Sequence, residues 1–154
     1  MKMNLEGKLA LVTGSTKGIG KAIAIELAKE GTNVIINGRQ KVTVDKIVAE
    51  IKENYPDTDP QSAPYDLADA KQRKELFERF PDIDILVNNM GIFKPMNYFD
   101  IDEATLQKFI DVNVYSGNAL AKFYLPKMLD QDFGRIIFIA SEEAIMPSGE
   151  MPQY

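Results

Sequence analysis

"LALVTGSTKGIG", residues 9–20, indicates the fold class of this chain. Its first four residues are apolar and precede a glycine-rich turn, a pattern typical of a buried parallel strand. Apolar residues then recur at helical spacing as far as Leu27, and Gly31 predicts the end of the helix. The glycines let a pyrophosphate approach the backbone, and the N-terminus of the following helix favours its negative charge. The stretch therefore predicts a nucleotide-binding turn, although an ordinary structural turn would use the same glycines.

The alternation of strand and helix repeats along the rest of the chain. Further short apolar runs predict strands at 33–37, 61–66, 83–89 and 135–140. Helical patterns between them predict helices around 44–51, from Asp69 to about 80, and at 102–129. Pro64 suggests that the third strand lies at an edge. Such alternation predicts a doubly wound α/β fold, a parallel sheet with helices on both faces and ligands at the carboxyl ends of the strands.

The composition excludes several classes of function. The chain has 154 residues, of which 45% are hydrophobic, and a net charge of −5. An acidic protein without a basic stripe is not expected to bind nucleic acid or an anionic membrane. The sequence has neither cysteine nor histidine, so catalysis would depend on hydroxyl, amide, lysine or carboxylate groups and no metal site is expected. The N-terminus lacks the apolar core of a signal peptide and no run is long enough to span a membrane, so we expect a cytoplasmic protein.

The residues after the second strand bear on the choice of cofactor. In dinucleotide-binding folds an acidic side chain here binds the ribose 2′-hydroxyl, whereas an arginine accommodates a 2′-phosphate. This chain has "NGRQ" (37–40), with Arg39 and no acid, and Lys17 in the glycine-rich turn adds a second cation. A carboxylate would repel the 2′-phosphate, while the Arg39 guanidinium offers it a bidentate contact. Together the two cations favour NADP(H) over NAD(H), although either one alone could be a solvated surface residue.

Polar residues also follow the later strands. Two adjacent amides, Asn88 and Asn89, end the fourth strand, and burying them without partners would be costly. With Gly91, they are interpreted as bracing the backbone beside a ligand. The long helix is expected to carry Leu106, Ile110, Leu120, Tyr124 and Met128 on or near one face. Asn113 lies on this apolar face, where a polar residue is most often a hydrogen-bonded core asparagine. Ser141 follows the fifth strand, where a hydroxyl can also cap a turn.

These motifs, in this order, resemble those of the short-chain dehydrogenase/reductase family. The spacing G-x-x-x-G-x-G, from Gly14 to Gly20, is similar to the family's cofactor loop, and "NNMG" resembles its N-N-A-G motif with Met90 in place of alanine. Asp66 and Leu67 resemble the family's acidic adenine contact, although an aspartate before a helix is often a cap. The resemblance implies cofactor contacts from Thr13, Gly14, Ser15, Thr16, Lys17, Gly18, Ile19, Gly20, Arg39, Asp66, Leu67, Asn88, Asn89 and Gly91.

The resemblance also implies a catalytic set formed by Asn113, Ser141 and Tyr154. In the family the asparagine helps to hold a proton-relay water, the serine orients the substrate carbonyl, and the tyrosine gives it a proton. A lysine four residues beyond the tyrosine lowers the pKa of that tyrosine in the family, and this position lies beyond residue 154. Substrate contacts are expected at Glu142, Glu143, Ile145 and Met146, and the two glutamates hint at a polar or cationic substrate group.

The implied function is hydride transfer between NADP(H) and a carbonyl compound or secondary alcohol, with Tyr154 as proton donor or acceptor. Because family members continue with a helix, further strands and a substrate-binding loop, we expect residues 1–154 to be one Rossmann-like domain of a longer enzyme, without the family's C-terminal strands. The alternative is a catalytically inactive nucleotide-binding fragment without the lysine. A methyltransferase is a third possibility, and under it the spacing between Ser141 and Tyr154 would be a coincidence. The full-length protein is expected to act on a small molecule and to form a homodimer or homotetramer through the helix at 102–129.

Overall fold

The structure, a computed structural model, describes residues 4–154, and strands alternate with helices throughout this range. The strands are β1 (Leu9–Val12), β2 (Asn33–Asn37), β3 (Gln61–Ala63), β4 (Ile85–Asn88) and β5 (Arg135–Phe138). The helices are α1 (Gly18–Lys29), α2 (Lys41–Asn54), α3 (Ala70–Arg79), α4 (Glu103–Ile110) and α5 (Ser116–Asp130). Short 3₁₀ turns cover Tyr98–Asp100 and Glu142–Ala144. None of the helices within residues 4–154 is long and apolar enough to cross a membrane.

The strands form one parallel sheet in the order β3-β2-β1-β4-β5. β1 lies at the centre, where Leu9 is opposite Asn33 of β2 and Ala10 is opposite Ile85 of β4. Parallel strands end at the same edge of a sheet, so the residues that follow β1, β2 and β4 lie side by side. The prediction of a doubly wound, Rossmann-like α/β fold is confirmed, and β3 lies at an edge as predicted.

Apolar side chains cover both faces of the sheet, because successive strand residues point to opposite sides. The first core, between the sheet and helices α1 and α2, includes Val12, Ala24, Val34, Ile36, Ile47 and Val87. The second core, between the sheet and helices α3 and α5, includes Leu11, Ile35, Leu76, Leu86, Leu120 and Tyr124. The Tyr124 hydroxyl donates to the Phe80 carbonyl (2.9 Å), and burial raises the pKa of this tyrosine above its usual range.

The long helix predicted at 102–129 contains a wider turn. Helices α4 and α5 are joined by a π-helical segment, Asp111–Tyr115, in which the amide of Ser116 donates to the carbonyl of Asp111. A π turn contains one residue more than an α turn, so it rotates the residues beyond it by about 100° relative to a regular helix. The two halves of the helix therefore do not share the face that a regular helix would give them.

This rotation makes one prediction about the helix wrong. On a regular α-helix, Leu106 and Ile110 would lie on the same face as Leu120, Tyr124 and Met128. In the structure the last three are buried, but Leu106 is 45% exposed and Ile110 is 43% exposed. The apolar spacing of the sequence continues through the π segment, while the buried face does not.

Three strands are shorter than predicted. β3 ends at Ala63 rather than at residue 66, because Pro64 has no N–H group to donate to the ladder. The predicted strands at 83–89 and 135–140 correspond to β4 and β5, which pair from Ile85 with Arg135 to Asn88 with Phe138. The outer residues of both predicted strands lie beyond this paired register.

Candidate active site

The carboxyl edge of the sheet brings most of the predicted site residues together. Thr13 follows β1, Asn37 ends β2 and Asn88 ends β4, so these residues stand on three adjacent strands. Residues 13–20, called the glycine loop below, run from the end of β1 into the first turn of α1. Hydrogen bonds from the neighbouring strand ends hold this loop in place.

The glycine loop has a packed side and an exposed side. Gly14 and Gly18 have φ angles of +62° and +55°, which other residues rarely adopt. A Cβ atom on Gly20 would lie 2.6 Å from the Gly14 carbonyl oxygen, so this glycine lets α1 approach the loop. A Cβ atom on Gly18 would meet nothing within 4 Å among the described residues, and the neighbouring Lys17 and Ile19 are exposed. The backbone at 17–19 is therefore accessible to a phosphate group at the N-terminus of α1.

Thr13 and Asn89 hold the glycine loop against β4. The amides of Asn89 and Met90 both donate to the Thr13 hydroxyl, each at 2.9 Å. The Asn89 carboxamide in turn donates to the carbonyls of Thr13 (2.9 Å) and Gly14 (3.2 Å). Met90, which replaces the alanine of the N-N-A-G motif, packs against the second core. Asn89 thus acts on the loop backbone.

Asn37 is absent from the predicted site residues, yet it connects three strand ends. Its side-chain oxygen accepts the amide of Gly14 (3.2 Å), and its side-chain nitrogen donates to the carbonyls of Ala63 (2.9 Å) and Tyr65 (3.0 Å). The Ser15 amide donates to the Asn37 carbonyl, and the Asn37 amide donates to the Ser15 hydroxyl, both at 2.9 Å. Asn37 is 1% exposed. The signal that could have identified it is a lone amide at the end of an apolar strand.

One exposed cation, Lys17, lies in the glycine loop, and a second, Arg39, follows Gly38, which packs against Thr16 of that loop. Arg39 and Lys17 are exposed, and neither forms an ion pair with any residue in the range 4–154. A Cβ atom on Gly38 would lie 2.6 Å from the Thr16 methyl carbon and 3.2 Å from a methyl carbon of Val44. An acidic side chain at position 38 would therefore have to displace Thr16.

The loop after β3 is held by Arg73, a second residue that the sequence analysis did not identify. The buried Arg73 guanidinium donates to the carbonyls of Leu67 (2.7 Å) and Ala68 (2.9 Å) and lies 5.4 Å from the centre of the Tyr115 ring. Asp66 accepts the amide of Ala68 (3.0 Å), so its carboxylate also shapes the turn. The Leu67 side chain is wholly buried, so only its backbone is available to a ligand.

Asn88 differs from Asn89 because its carboxamide has no partner among residues 4–154. The residue is 8% exposed and lines a cavity of about 30 Å³ next to the π segment. A cavity of this size can hold one water molecule, which would satisfy the amide. A Cβ atom on Gly117 would lie 3.3 Å from the Asn88 side chain, so this glycine allows α5 to pack against the end of β4.

Asn113 lies in the π segment and holds the chain that follows β4. Its side-chain oxygen accepts the amide of Ile92 (2.7 Å), and its side-chain nitrogen donates to the carbonyl of the same residue (3.0 Å). The Ser116 hydroxyl donates to the Val112 carbonyl (2.8 Å), a local bond that favours the altered winding. Gly91 lies beside this pair, since a Cβ atom there would be 3.5 Å from the Asn113 oxygen. Helices wound in this way occur often at functional sites.

Ser141 caps a short turn. Its hydroxyl accepts the amide of Glu143 (3.3 Å) at the start of the 3₁₀ turn Glu142–Ala144. The Glu143 carboxylate accepts the amide of Ser148 (2.6 Å), so one of the two adjacent glutamates is engaged with the backbone. The other residues predicted to contact a substrate are exposed, namely Glu142, Ile145 and Met146.

The residue before Tyr154 contacts the segment 92–96, which Asn113 also holds. Gln153 is buried, and its side-chain nitrogen donates to the Lys94 carbonyl (2.5 Å). Asn113 holds the same segment two residues earlier through its bonds to Ile92. Asn113 and Gln153, the residue before Tyr154, thus contact the same segment, and Tyr154 itself is 43% exposed.

Comparison with known proteins agrees with this geometry. The family model for short chain dehydrogenases matches residues 8–154. The chain is 51% identical to the uncharacterized oxidoreductase YvaG of Bacillus subtilis over 154 residues, which are all of this chain and 58% of that protein. L-Sorbose reductase from Gluconobacter frateurii, solved with NADPH and L-sorbose, matches with a TM-score of 0.93 and 30% identity over all of this chain and 60% of that chain. A 3-oxoacyl (acyl-carrier-protein) reductase from Agrobacterium tumefaciens, solved with NADP bound, matches with a TM-score of 0.89 and 31% identity over 97% of this chain and 58% of that chain.

The match extends over the whole sheet, from β1 to β5, and over the segment that includes Tyr154. The chain spans about 58–60% of the length of these relatives. Family model, sequence identity and backbone similarity all lead to the same assignment. The chain belongs to the short-chain dehydrogenase family, a family of oxidoreductases.

Proposed function

We propose that the complete protein transfers hydride between NADP(H) and a carbonyl compound or secondary alcohol. The observation that supports this most directly is the exposed first turn of α1 in the glycine loop, next to the exposed Arg39. The cofactor class is also supported by relatives, since L-sorbose reductase was solved with NADPH and L-sorbose. We take residues 1–154 as a single nucleotide-binding domain, with a small molecule as substrate.

The residues of the carboxyl edge fit a dinucleotide phosphate. Gly18 and its exposed neighbours offer backbone N–H groups to the pyrophosphate, because no side chain covers this turn. Lys17 and Arg39 offer charge to the 2′-phosphate, and the loop at Asp66 is proposed to contact the adenine. Leu67 and Asn88 act indirectly, since both side chains are buried. When bound, the cofactor supplies or accepts the hydride.

Tyr154 is the proposed proton donor and acceptor. Its exposed side chain is open to a substrate and to solvent. In the reducing direction the Tyr154 hydroxyl gives its proton to the carbonyl oxygen, and solvent returns a proton to the phenolate. The Ser141 hydroxyl accepts the Glu143 amide, which leaves its own O–H free to donate to the same carbonyl oxygen. Asn113 holds Ile92 in the segment 92–96, which Gln153, the neighbour of Tyr154, also contacts.

The test of this mechanism is the substitution Tyr154→Phe in the full-length protein. NADPH oxidation with a panel of ketones, aldehydes and sugars should fall about 10²–10⁴-fold, while the Kd for NADPH changes less than about twofold. Tyr55→Phe is the matched control, because Tyr55 packs against the first core and should leave turnover unchanged. Unchanged turnover in Tyr154→Phe would contradict the assignment of the proton donor.

The same assay separates the proposal from the nucleotide-binding fragment. A protein that binds NADP(H) but oxidises none with any compound of the panel would support binding without catalysis. Failure to bind either nicotinamide nucleotide would reject both alternatives.

A second copy of the chain is the proposed partner of the outer face of the long helix. Leu106, Ile110 and Val114 recur every four residues and are exposed, and Leu125 and Leu129 continue the exposed apolar side along α5. Exposed apolar stripes of this kind are stabilised by burial against a similar stripe. A homodimer or homotetramer of the full-length protein would agree with this, whereas a monomeric mass at micromolar concentration in sedimentation experiments would contradict it.

A further inference from the structure

We infer that Asn37 is a positioning residue that fixes the shape of the glycine loop and that an acidic side chain cannot replace it at the end of β2. The inference rests on the proposed nucleotide-binding function, and it adds a residue that the proposed contacts do not include. Asn37 is buried, so it acts on the nucleotide through the backbone that it holds.

The carboxamide of Asn37 matches its surroundings in a way that only an amide can. One side-chain atom must accept the Gly14 amide, and the other must donate to two carbonyl oxygens, those of Ala63 and Tyr65. These bonds connect the glycine loop to the turn after β3, across the end of β2. An isosteric aspartate would keep the first bond but would place a charged oxygen about 3 Å from two carbonyl oxygens. A buried charge in such a place is strongly unfavourable.

This has a consequence for cofactor choice. In many dinucleotide-binding folds an acid at the end of the second strand binds the ribose 2′-hydroxyl and selects NAD(H). Here the Asn37 side chain faces backbone groups of its own chain rather than an open surface. Asn37→Asp should therefore weaken NADP⁺ and NAD⁺ binding alike, instead of shifting preference toward NAD⁺. Arg39→Asp, two residues later and exposed, should shift the preference.

Hydrogen exchange of the unliganded protein tests the positioning role directly. In Asn37→Asp the amide proton of Gly14 should exchange at least about tenfold faster than in the wild type, because its acceptor is disturbed. The exchange rate of the Leu11 amide in the core reports global stability, and this rate should change less than that of Gly14. Asn33→Asp is the matched control at the other end of β2: its side-chain oxygen accepts the Asp59 amide (2.8 Å), a bond that a carboxylate can keep. Equal changes at Gly14 and Leu11, or no change at Gly14, would overturn the inference.

Nucleotide binding is measured on the same variants by titration calorimetry. Asn37→Asp should raise the Kd for NADP⁺ and for NAD⁺ about tenfold each, with their ratio within about twofold of the wild type. A tighter complex with NAD⁺ in this variant, or unchanged Kd values, would overturn the inference. A wild-type protein that binds neither nucleotide would refute the proposed function instead, and the exchange experiment would still decide whether Asn37 shapes the loop.

A second variant covers the case in which Asn37→Asp does not fold. Asn37→Ser is neutral and smaller, so it removes the three side-chain bonds without burying a charge. It should accelerate exchange at Gly14 and raise the Kd values for NADP⁺ and NAD⁺, by a smaller factor than Asn37→Asp does. Wild-type exchange and wild-type Kd values in Asn37→Ser would overturn the inference even if Asn37→Asp is unfolded.

Discussion

The amino-terminal and carboxyl-terminal parts of this molecule are held together to very different degrees. β1 and β2 each have a paired strand on both sides, and Leu11 in β1 is wholly buried. Within residues 4–154, β5 pairs with β4 alone, and Ile137 in β5 is 46% exposed. An apolar strand with an open edge is available for pairing with other chain segments. The proposed nucleotide site is therefore organised by contacts within this chain, and the segment after β5 is not organised to the same degree.

The polar residues show the same contrast. Thr13, Asn37 and Asn89 each take part in several hydrogen bonds between strand ends. Ser141 accepts a bond from its own turn, and Tyr154 is held by the contacts of its neighbour Gln153. Cofactor binding should therefore withstand changes in the segment after β5 better than catalysis does.

The largest expected difference is in core stability. Leu11→Ala should lower the free energy of unfolding by about 2–5 kcal/mol, because it opens a cavity in the second core. Ile137→Ala should cost about 1 kcal/mol, since nearly half of that side chain is already in water. Urea unfolding followed by circular dichroism measures both. Equal losses of unfolding free energy in the two variants would contradict the tighter packing of β1 relative to β5.

A pair of glycine substitutions sharpens the contrast at the level of the loops. Gly20→Ala should cost about 1–3 kcal/mol and weaken NADP⁺ binding, because the new methyl group would meet Asn89 and the Gly14 carbonyl. In the segment after β5, a Cβ atom on Gly149 would meet nothing within 4 Å among the described residues. Gly149→Ala should therefore change the free energy of unfolding by less than about 0.5 kcal/mol. Thermal melting without and with NADP⁺ reports the change in stability and the change in NADP⁺ binding of each variant. Wild-type stability in Gly20→Ala would contradict the close packing of α1 on the loop.

The smallest expected effect concerns cofactor preference. Arg39→Asp should weaken NADPH about tenfold more than NADH, because the charged contact to the 2′-phosphate is replaced by repulsion. Lys122→Asp introduces the same charge change on the exposed surface of α5 and serves as the control. Titration with both nucleotides measures the ratio, and equal losses for NADPH and NADH would argue against 2′-phosphate recognition by Arg39.

The sequence predicted the sheet well because buried parallel strands are short apolar runs between amphipathic helices. It also indicated which residues lie at the carboxyl edge, since a strand end followed by glycine or asparagine is a local pattern. Arg73 donates to the carbonyls of Leu67 and Ala68, six and five residues earlier, and it was missed because a single arginine in a polar helix gives no sign of being buried. Asn37 was missed because its partners are set by strand order: it donates to the carbonyls of Ala63 and Tyr65, which are far along the chain. A local pattern does not reveal such pairings.

The π segment could not be predicted for a different reason. The apolar residues of the long helix keep a spacing that fits a regular helix, so the exposed positions of Leu106 and Ile110 contradict the sequence pattern. The winding is decided by bonds to distant groups, such as those of Asn113 to Ile92, and by the local Ser116 hydroxyl. Periodicity reports which residues are apolar, and tertiary contacts decide which of them are buried.

The π segment also restricts how this helix can change during evolution. Removing one residue from Asp111–Tyr115 would restore regular winding, but it would turn α4 relative to α5 by about 100°. Asn113 would then lose Ile92, or the buried residues Leu120 and Tyr124 would leave the core. The number of residues in this stretch is therefore constrained by the contacts on both sides of it, in addition to the constraint on the Asn113 side chain. A single-residue gap or insertion here in a related sequence would mark a protein whose helix no longer holds the loop at Ile92 in this way.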